Sequence, residues 1–387
     1  MLAFLLFHGI IIYTKKRMEK TMKRFLGFEH GMGIGGWLTN YKRFNVLPQD
    51  KRHLLTIGDK EHFATYITEK DIEYIAKLGM DHIRLGFDQI VFEKEPYTYR
   101  EEIFEIVDKF ILWCKKYKLN IVLNMHKAIG NYCDIQEEIS LFNSEELQNR
   151  FIALWVEFEK RYTNETDVAF ELLNEVRDEP PKKWNDLADK TIKALRKLNK
   201  TRKIIIGSTR WNSPDTLKDL KIFDDENVIY TFHNYAPFEF THQKGVLQAE
   251  PLYYNRKMPY PDTIERYRDY QLVVHENDNA YEDYDEMDIN FVRDSLQGAV
   301  EFIRKNPDKI LWCGEFGTIR HANIKWRENW MKDVITVLLE NEIPYCVWNY
   351  LSTENDGNRF SLVDDDSRKI LSENLAKIIK GEIKLDK

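Results

Sequence analysis

The stretch V-A-F-E-L-L-N-E-V, Val168 to Val176, begins as an apolar run and ends on a polar pair, Asn174 and Glu175. A buried parallel strand looks like this where it emerges into a site: apolar while both faces are covered, polar at its carboxyl end. A second stretch, K-I-L-W-C-G-E-F-G from Lys309 to Gly317, repeats the pattern and presents Glu315. Two strands of one barrel, each delivering a glutamate to the same rim, can supply an acid and a nucleophile for cutting a sugar linkage. The question is whether the intervening chain makes such a barrel.

From Phe25 onward, short apolar strands alternate with amphipathic stretches. The strands are expected at Phe28–Trp37, Asp81–Phe87, Asn120–His126, Val168–Glu175, Lys203–Thr209, Asn227–Tyr235, Lys309–Glu315 and Pro344–Tyr350. Helices are expected from the Thr68 cap to Leu78, over Ile103–Tyr117, Ser144–Tyr162, Lys183–Leu198 and Trp326–Asn341, and over Asp366–Ile379 as a closing helix. Leu38–Thr65 is polar and reads as a long surface loop. The alternation points to a (β/α)8 TIM barrel of the α/β class. A doubly wound sheet shares the rhythm, but strand one is not expected to be followed by a G-x-G-x-x-G helix start, the spacing of Gly31, Gly33, Gly35 and Gly36 reading as wrong for it. Residues 236–288, rich in Tyr, Pro, Asp and Glu, break the rhythm after strand six. They are expected to form an inserted subdomain over the rim, within a catalytic domain spanning 25–387.

The chain has 387 residues and a net charge of -7, so it offers no basic footprint for nucleic acid. Cys114, Cys133, Cys313 and Cys346 show no C-x-x-C spacing and read as free buried thiols. Residues 1–24 are apolar and then basic, the reverse of a secretory signal, and too short in their apolar part for a membrane span. They read as an N-terminal extension, with Met18 and Met22 as later starts. A cytoplasmic location is the expectation, with no membrane partner.

Polar residues stand at the expected strand ends: Arg84, His126, Asn174, Glu175, His233, Tyr235, Glu315 and Trp348. Singly, each has an ordinary structural explanation, as an ion pair, a buried imidazole or core packing. Together, at matching ends, they form one candidate rim. These residues carry a resemblance to glycoside hydrolase family 5, the cellulase-type retaining glycosidases. The ordered set is G-G-W (Gly35–Trp37), H-I-R-L (His82–Leu85), F-E-L-L-N-E (Phe170–Glu175), F-H-N-Y (Phe232–Tyr235), W-C-G-E-F-G (Trp312–Gly317) and V-W-N-Y (Val347–Tyr350). The resemblance spans nearly the whole chain from about Phe25. It implies Glu175 as acid/base and Glu315 as nucleophile, and the segment after strand six resembles the subdomain of one cellulase-like branch.

Beside the resemblance, the chemistry assigns expectations of its own. Arg84 is the candidate cation for lowering the pKa of Glu315, and Tyr235 a hydrogen-bond donor to it. His233 would orient Glu175. Asn174 would bind the sugar 2-hydroxyl, and His126 another hydroxyl. Trp348 would provide a flat apolar face under the sugar. Trp37 and Trp211 are either neighbouring platforms or packing residues. Lys127 stands where the resemblance puts a second histidine and is expected to meet hydroxyls; Gly86 stands where proline is common. The expected activity is a retaining endo-β-1,4-glucanase on β-glucan poly- or oligosaccharides, with β-mannanase and exo-β-1,3-glucosidase as alternatives. No metal or cofactor is implied: no H-E-x-x-H occurs, and G-x-S-x-G is missing for a serine hydrolase. A carbohydrate-binding protein without catalysis is the alternative of another class.

Overall fold

The computed structural model describes residues 23–39, 48, 51–133, 137–246, 248–352 and 359–383. The expected N-terminal extension falls almost wholly on residues 1–22, outside the described ones. Eight parallel strands close into a barrel: β1 His30–Leu38, β2 His82–Asp88, β3 Asn120–Lys127, β4 Val168–Glu171, β5 Ile204–Gly207, β6 Val228–Asn234, β7 Ile310–Phe316 and β8 Tyr345–Val347. Neighbours in sequence are neighbours in space, and β1 pairs with both β2 and β8. Helices fill the outer layer, among them Glu69–Lys77, Glu101–Lys116, Glu145–Tyr162, Pro181–Arg196 and Ile324–Glu340. The Thr68–Asp71 capping box and the Ser144 cap start two of them where the sequence places them. No described helix is long and apolar enough to cross a membrane.

Side-chain alternation divides each strand between two cores. Outward residues pack against the helices. Inward residues near the amino ends form a small plug of Val122, Ala169, Ile205, Ile229, Ile310, Trp312 and Cys346, closed from below by Phe25 and Phe28. The latter two rings stack at 4.1 Å. The same inward parity, carried upward, delivers Arg84, Asn124, His126, Glu171 and His233 to the barrel's carboxyl end. Gly31, Gly33 and Gly36 do have G-x-G-x-x-G spacing, so spacing alone would not exclude a dinucleotide turn. All three lie inside β1, and the next described helix begins only at Ile57. Gly31 and Gly33 serve sterically, a Cβ on Gly31 lying 2.1 Å from the His82 ring, and Gly36 takes a left-handed φ of 74°.

Several expected boundaries shift. β4 stops at Glu171, four residues short of Glu175, because the chain leaves the sheet to cross the rim. The strands expected to reach Thr209 and Tyr350 end at Gly207 and Val347. The region Leu38–Thr65 is not all loop, since Ile57–Thr65 is a helix capped reciprocally by Thr56 and Asp59. The closing helix is only Glu373–Ile379, started by Ser372. Residues 236–288 hold short helices at Phe238–Thr241, Ala249–Tyr254 and Ile264–His275, and a two-stranded ribbon, Asp262–Thr263 with Glu286–Met287. Tyr260, Tyr267 and Tyr270 are buried there, and the Tyr260 hydroxyl donates to Asp333 Oδ2 at 2.8 Å, tying the segment to the helix after β7. The four cysteines are free, but Cys133 is only half-buried.

Below the plug, one cation binds the helix before β4 to the strand that follows it. Arg202 is buried and donates to Glu159 Oε2 at 2.7 Å, to the Glu165 carbonyl at 2.6 Å and to the carbonyls of Tyr162 and Val168. Glu159 is fully buried, so losing its partner strands a carboxylate in the core. Arg202→Met is expected to destabilise the fold by about 3–5 kcal/mol in urea unfolding, and adding Glu159→Leu to restore a large part of that loss.

Candidate active site

A β-bulge makes the site possible. On β7 the inward parity runs Ile310, Trp312, Gly314, which would turn Glu315 outward. The register between β7 and β6 shifts between Cys313 and Glu315, so that Glu315 pairs with His233 and faces inward. Gly314 is the extra residue, and a Cβ there would lie 2.7 Å from Thr231 Oγ1.

Glu315 is buried at the barrel mouth and held from two sides. Arg84 Nη1 donates to its Oε1 at 2.5 Å, and the Tyr235 hydroxyl to its Oε2 at 2.8 Å. Burial alone would raise its pKa. The His233 and Arg84 charges and the Tyr235 hydrogen bond outweigh that and hold Glu315 below the ordinary glutamate value. Arg84 is shared with a residue the sequence reading passed over. Its Nε and Nη2 bind Glu171 Oε2 and Oε1 at 2.6 and 2.9 Å, and both side chains are fully buried. Nη2 also donates to Asn174 Oδ1 at 2.6 Å. That bond fixes the Asn174 amide, so its Nδ2 points away from Arg84, with Cys133 Sγ 3.6 Å off.

Glu175 lies across from Glu315. Its side chain keeps 17% exposure against 5% for Glu315, so of the two it is the one open to proton exchange. Its Oε1 is 2.7 Å from His233 Nδ1, and its carbonyl accepts from Asn131 Nδ2 at 3.2 Å. Burial, with help from the Glu315 charge and against the pull of His233 and Arg84, pushes the Glu175 carboxyl above its ordinary value. One ligand-type atom each from Glu175, His233 and Glu315 lie within 4.8 Å of one another. Proximity of that kind also suits a metal ion. Here, however, Arg84 and Tyr235 occupy both oxygens of Glu315, Glu175 occupies His233 Nδ1, and a buried guanidinium already supplies the positive charge.

Trp348, one residue beyond β8, forms the floor. Its indole lies on the bare main chain of β1: a Cβ on Gly33 or Gly35 would come within 2.8 or 2.6 Å of it. The His126 ring runs parallel to it, tilted by 4°, with centroids 5.3 Å apart. Burial, reinforced by the Lys127 and Arg84 charges, pushes the His126 pKa well down and keeps the ring neutral. Trp211 is 45% exposed at the rim, with its Nε1 donating to the Cys133 carbonyl at 3.0 Å.

Lys127 pairs with Asp88 across a register shift between β3 and β2, and its side chain is fully buried, with Nζ 3.9 Å from Asp88 Oδ1. One expected site residue is not at the site. Trp37 is buried in the outer core, donates to the Phe63 carbonyl at 2.8 Å and packs edge-on against Phe110. It is a packing residue. Besides Glu171, the sequence reading missed Asn124, 3.2 Å from His126 Nδ1, and Asn212, 3.2 Å from His233 Nε2. For Glu171 a signal existed: a charge at inward parity inside an otherwise apolar strand. Asn124 carried a weaker form of the same signal, a polar residue two before His126 in an apolar strand; Asn212 had none.

Known proteins fit this geometry. Residues 49–354 match the family described as Cellulase (glycosyl hydrolase family 5). The chain is 37% identical over 362 residues to Endoglucanase C of Acetivibrio thermocellus, covering 92% of this chain and 98% of that protein. It is 30% identical to Cellodextrinase A of Ruminococcus flavefaciens over 83% of this chain and 85% of that protein. The Thermotoga maritima Cel5A structure in complex with cellobiose shares the fold, with a TM-score of 0.69 at 24% identity, covering 91% of this chain and 97% of that one. With its barrel closed and two glutamates facing each other across the mouth, this chain is a glycoside hydrolase and belongs to glycosyl hydrolase family 5.

Proposed function

We propose that the protein is a retaining endo-β-1,4-glucanase, with Glu315 as nucleophile and Glu175 as acid/base. The observation that carries this reading is the approach of the two carboxyl groups, whose nearest oxygens lie within 4.8 Å. Retaining enzymes separate theirs by roughly 5–5.5 Å, and inverting ones by more, to admit a water. The relatives named endoglucanase and cellodextrinase support β-1,4-glucan as the substrate. The paired acids also weigh against a binding protein without catalysis.

In the first step a Glu315 oxygen attacks the anomeric carbon while Glu175 gives its proton to the departing glycosidic oxygen. A glycosyl ester forms on Glu315 and the shortened glucan leaves. In the second step Glu175, now ionised, takes a proton from water, whose oxygen displaces Glu315 and restores the starting configuration. The Asn174 amide would donate to the 2-hydroxyl, His126 would bind a second hydroxyl, and Trp348 would lie under the reacting ring. Trp211 would carry a sugar farther out. Residues 236–288 are read as an inserted subdomain forming one cleft wall: Phe238 and His242 stack at 4.1 Å, and His242 packs on Tyr235 and Phe360.

Product analysis and two variants test this reading. On cellooligosaccharides and barley β-glucan, proton NMR should detect the β-anomer first, viscosity should drop ahead of reducing-end release, and mannan should be the poorer substrate. Glu315→Gln should abolish turnover of every substrate. Glu175→Gln should slow aryl β-cellobiosides with poor leaving groups by about 10²–10⁴-fold, and activated ones much less in kcat/KM. Equal losses would remove Glu175 as the acid.

The pH profile should be a bell, its acid limb set by Glu315 below the ordinary glutamate value and its alkaline limb by Glu175 above it, the two titrating as a pair. Glu171→Gln removes a negative charge from beside Arg84. The freed guanidinium should stabilise ionised Glu315 further and move the acid limb to lower pH, while the fold loses about 3 kcal/mol. An acid limb shifted upward would contradict Arg84 as the cation that sets it.

A further inference from the structure

Three consecutive residues without glycine take left-handed backbone angles just after β5: Arg210, Trp211 and Asn212, with φ of 53°, 54° and 56°. Such a run is sterically disfavoured and persists only where its surroundings impose it. Here Trp211 N donates to the Val176 carbonyl at 2.9 Å, and Arg210 N to the Arg177 carbonyl at 3.3 Å, just beyond Glu175. The turn throws Trp211 outward and Asn212 inward, where it is fully buried. Gly207 makes the space, since a Cβ there would lie 2.3 Å from Asn212 Oδ1. The strained turn thus ends with the Asn212 amide Nδ2 3.2 Å from His233 Nε2, on the ring whose Nδ1 contacts Glu175.

We propose that Asn212 is a positioning residue that selects the tautomer of His233 and thereby decides which oxygen of Glu175 carries the acid proton. The inference rests on the reading of Glu175 as acid/base. A neutral imidazole has one N–H and one lone pair. Left alone, His233 can take either tautomer against a protonated Glu175. With the hydrogen on Nε2, its Nδ1 accepts the Glu175 proton and holds it away from the sugar. An amide N–H directed at Nε2 claims that lone pair, so the hydrogen sits on Nδ1. Nδ1–H then donates to Glu175 Oε1, and the acid proton resides on Oε2, free for the leaving group. The groups facing this pair are Glu315 from β7, Arg84 from β2, Tyr235 beyond β6 and neutral His126 from β3; none of them contacts Nε2 among the described residues. The amide presents Nδ2 to Nε2, and its Oδ1 has no hydrogen-bond partner among the described residues.

The test begins with the unmodified protein. Nitrogen-15 NMR of labelled histidine, read in the pH range where the ring is neutral, should show His233 with a protonated Nδ1 and an unprotonated Nε2. A protonated Nε2 there overturns the proposal. Asn212→Asp places an acceptor at Nε2, draws a proton to it and favours the imidazolium, which stabilises ionised Glu175. The alkaline limb of kcat/KM should move down by about one pH unit. Asn212→Ala frees the tautomer and should lower kcat/KM for a phenyl β-cellobioside about tenfold more than for its dinitrophenyl counterpart, with KM little changed. An alkaline limb unmoved in Asn212→Asp, or equal losses on both substrates in Asn212→Ala, overturns the proposal. Glu175→Gln separates the two levels. If it shows the leaving-group dependence and the Asn212 variants do not, the tautomer argument fails alone; if it shows none, the assignment of Glu175 fails and takes this one with it.

Discussion

One guanidinium, that of Arg84, governs the upper half of the barrel. It stands fully buried between Glu171 and Glu315 and holds the Asn174 amide as well. Two buried carboxylates on one cation is an expensive arrangement, and an apolar core would be the more stable choice. What it secures is an ionised Glu315 in a place where burial favours the neutral acid. The linkage has a definite sign. Glu315 has a depressed pKa in the fold, so its contribution is present above the unfolded value, about 4.3, and is lost as pH falls through the folded one. Glu175 behaves oppositely: its raised pKa means that its ionisation opposes folding once pH climbs past the unfolded value. The site holds one acid charged and its neighbour neutral, the first adding to stability at neutral pH and the second subtracting from it.

The rest of the architecture arranges side chains around that cation by parity. Period-two alternation sends Arg84, Asn124, His126, Glu171 and His233 inward from four strands. Glu315 is the exception: its own parity is wrong, and the bulge at Gly314 rotates it into place. Glu175 and Trp348 escape parity altogether, lying beyond the last paired residues of their strands. Regular strands thus supply the electrostatic frame, and irregular backbone supplies the groups proposed to touch the sugar.

That division also marks how far the sequence could be read. The barrel was legible because eight apolar runs alternate with capped, amphipathic helices, and periodicity is a local property. The rim was legible because six of the eight expected strands bring a polar or aromatic residue of the candidate rim to their carboxyl ends. Lys127 was hard to place because the register between β2 and β3 shifts at His126, which no local pattern announces. Trp37 was left open because an indole is equally at home in a core and on a cleft wall. Glu171 could have been found by counting inward from Ala169. Asn212 could not, since its importance comes from a left-handed turn that no propensity announces. Of the tyrosines of 236–288, Tyr254, Tyr260, Tyr267 and Tyr270 are buried, while Tyr253 is exposed.

The glycine face of β1 has a consequence for how such a cleft can change. Trp348 rests on main chain at Gly33 and Gly35, and main-chain atoms are the same whatever residue the gene encodes. Any side chain added there would evict the indole, so the depth and pitch of the floor are closed to gradual adjustment. Trp211, by contrast, projects from the rim with nearly half its surface in water. Drift in chain-length or linkage preference therefore has a ready path along the cleft's margins, and almost none through its centre.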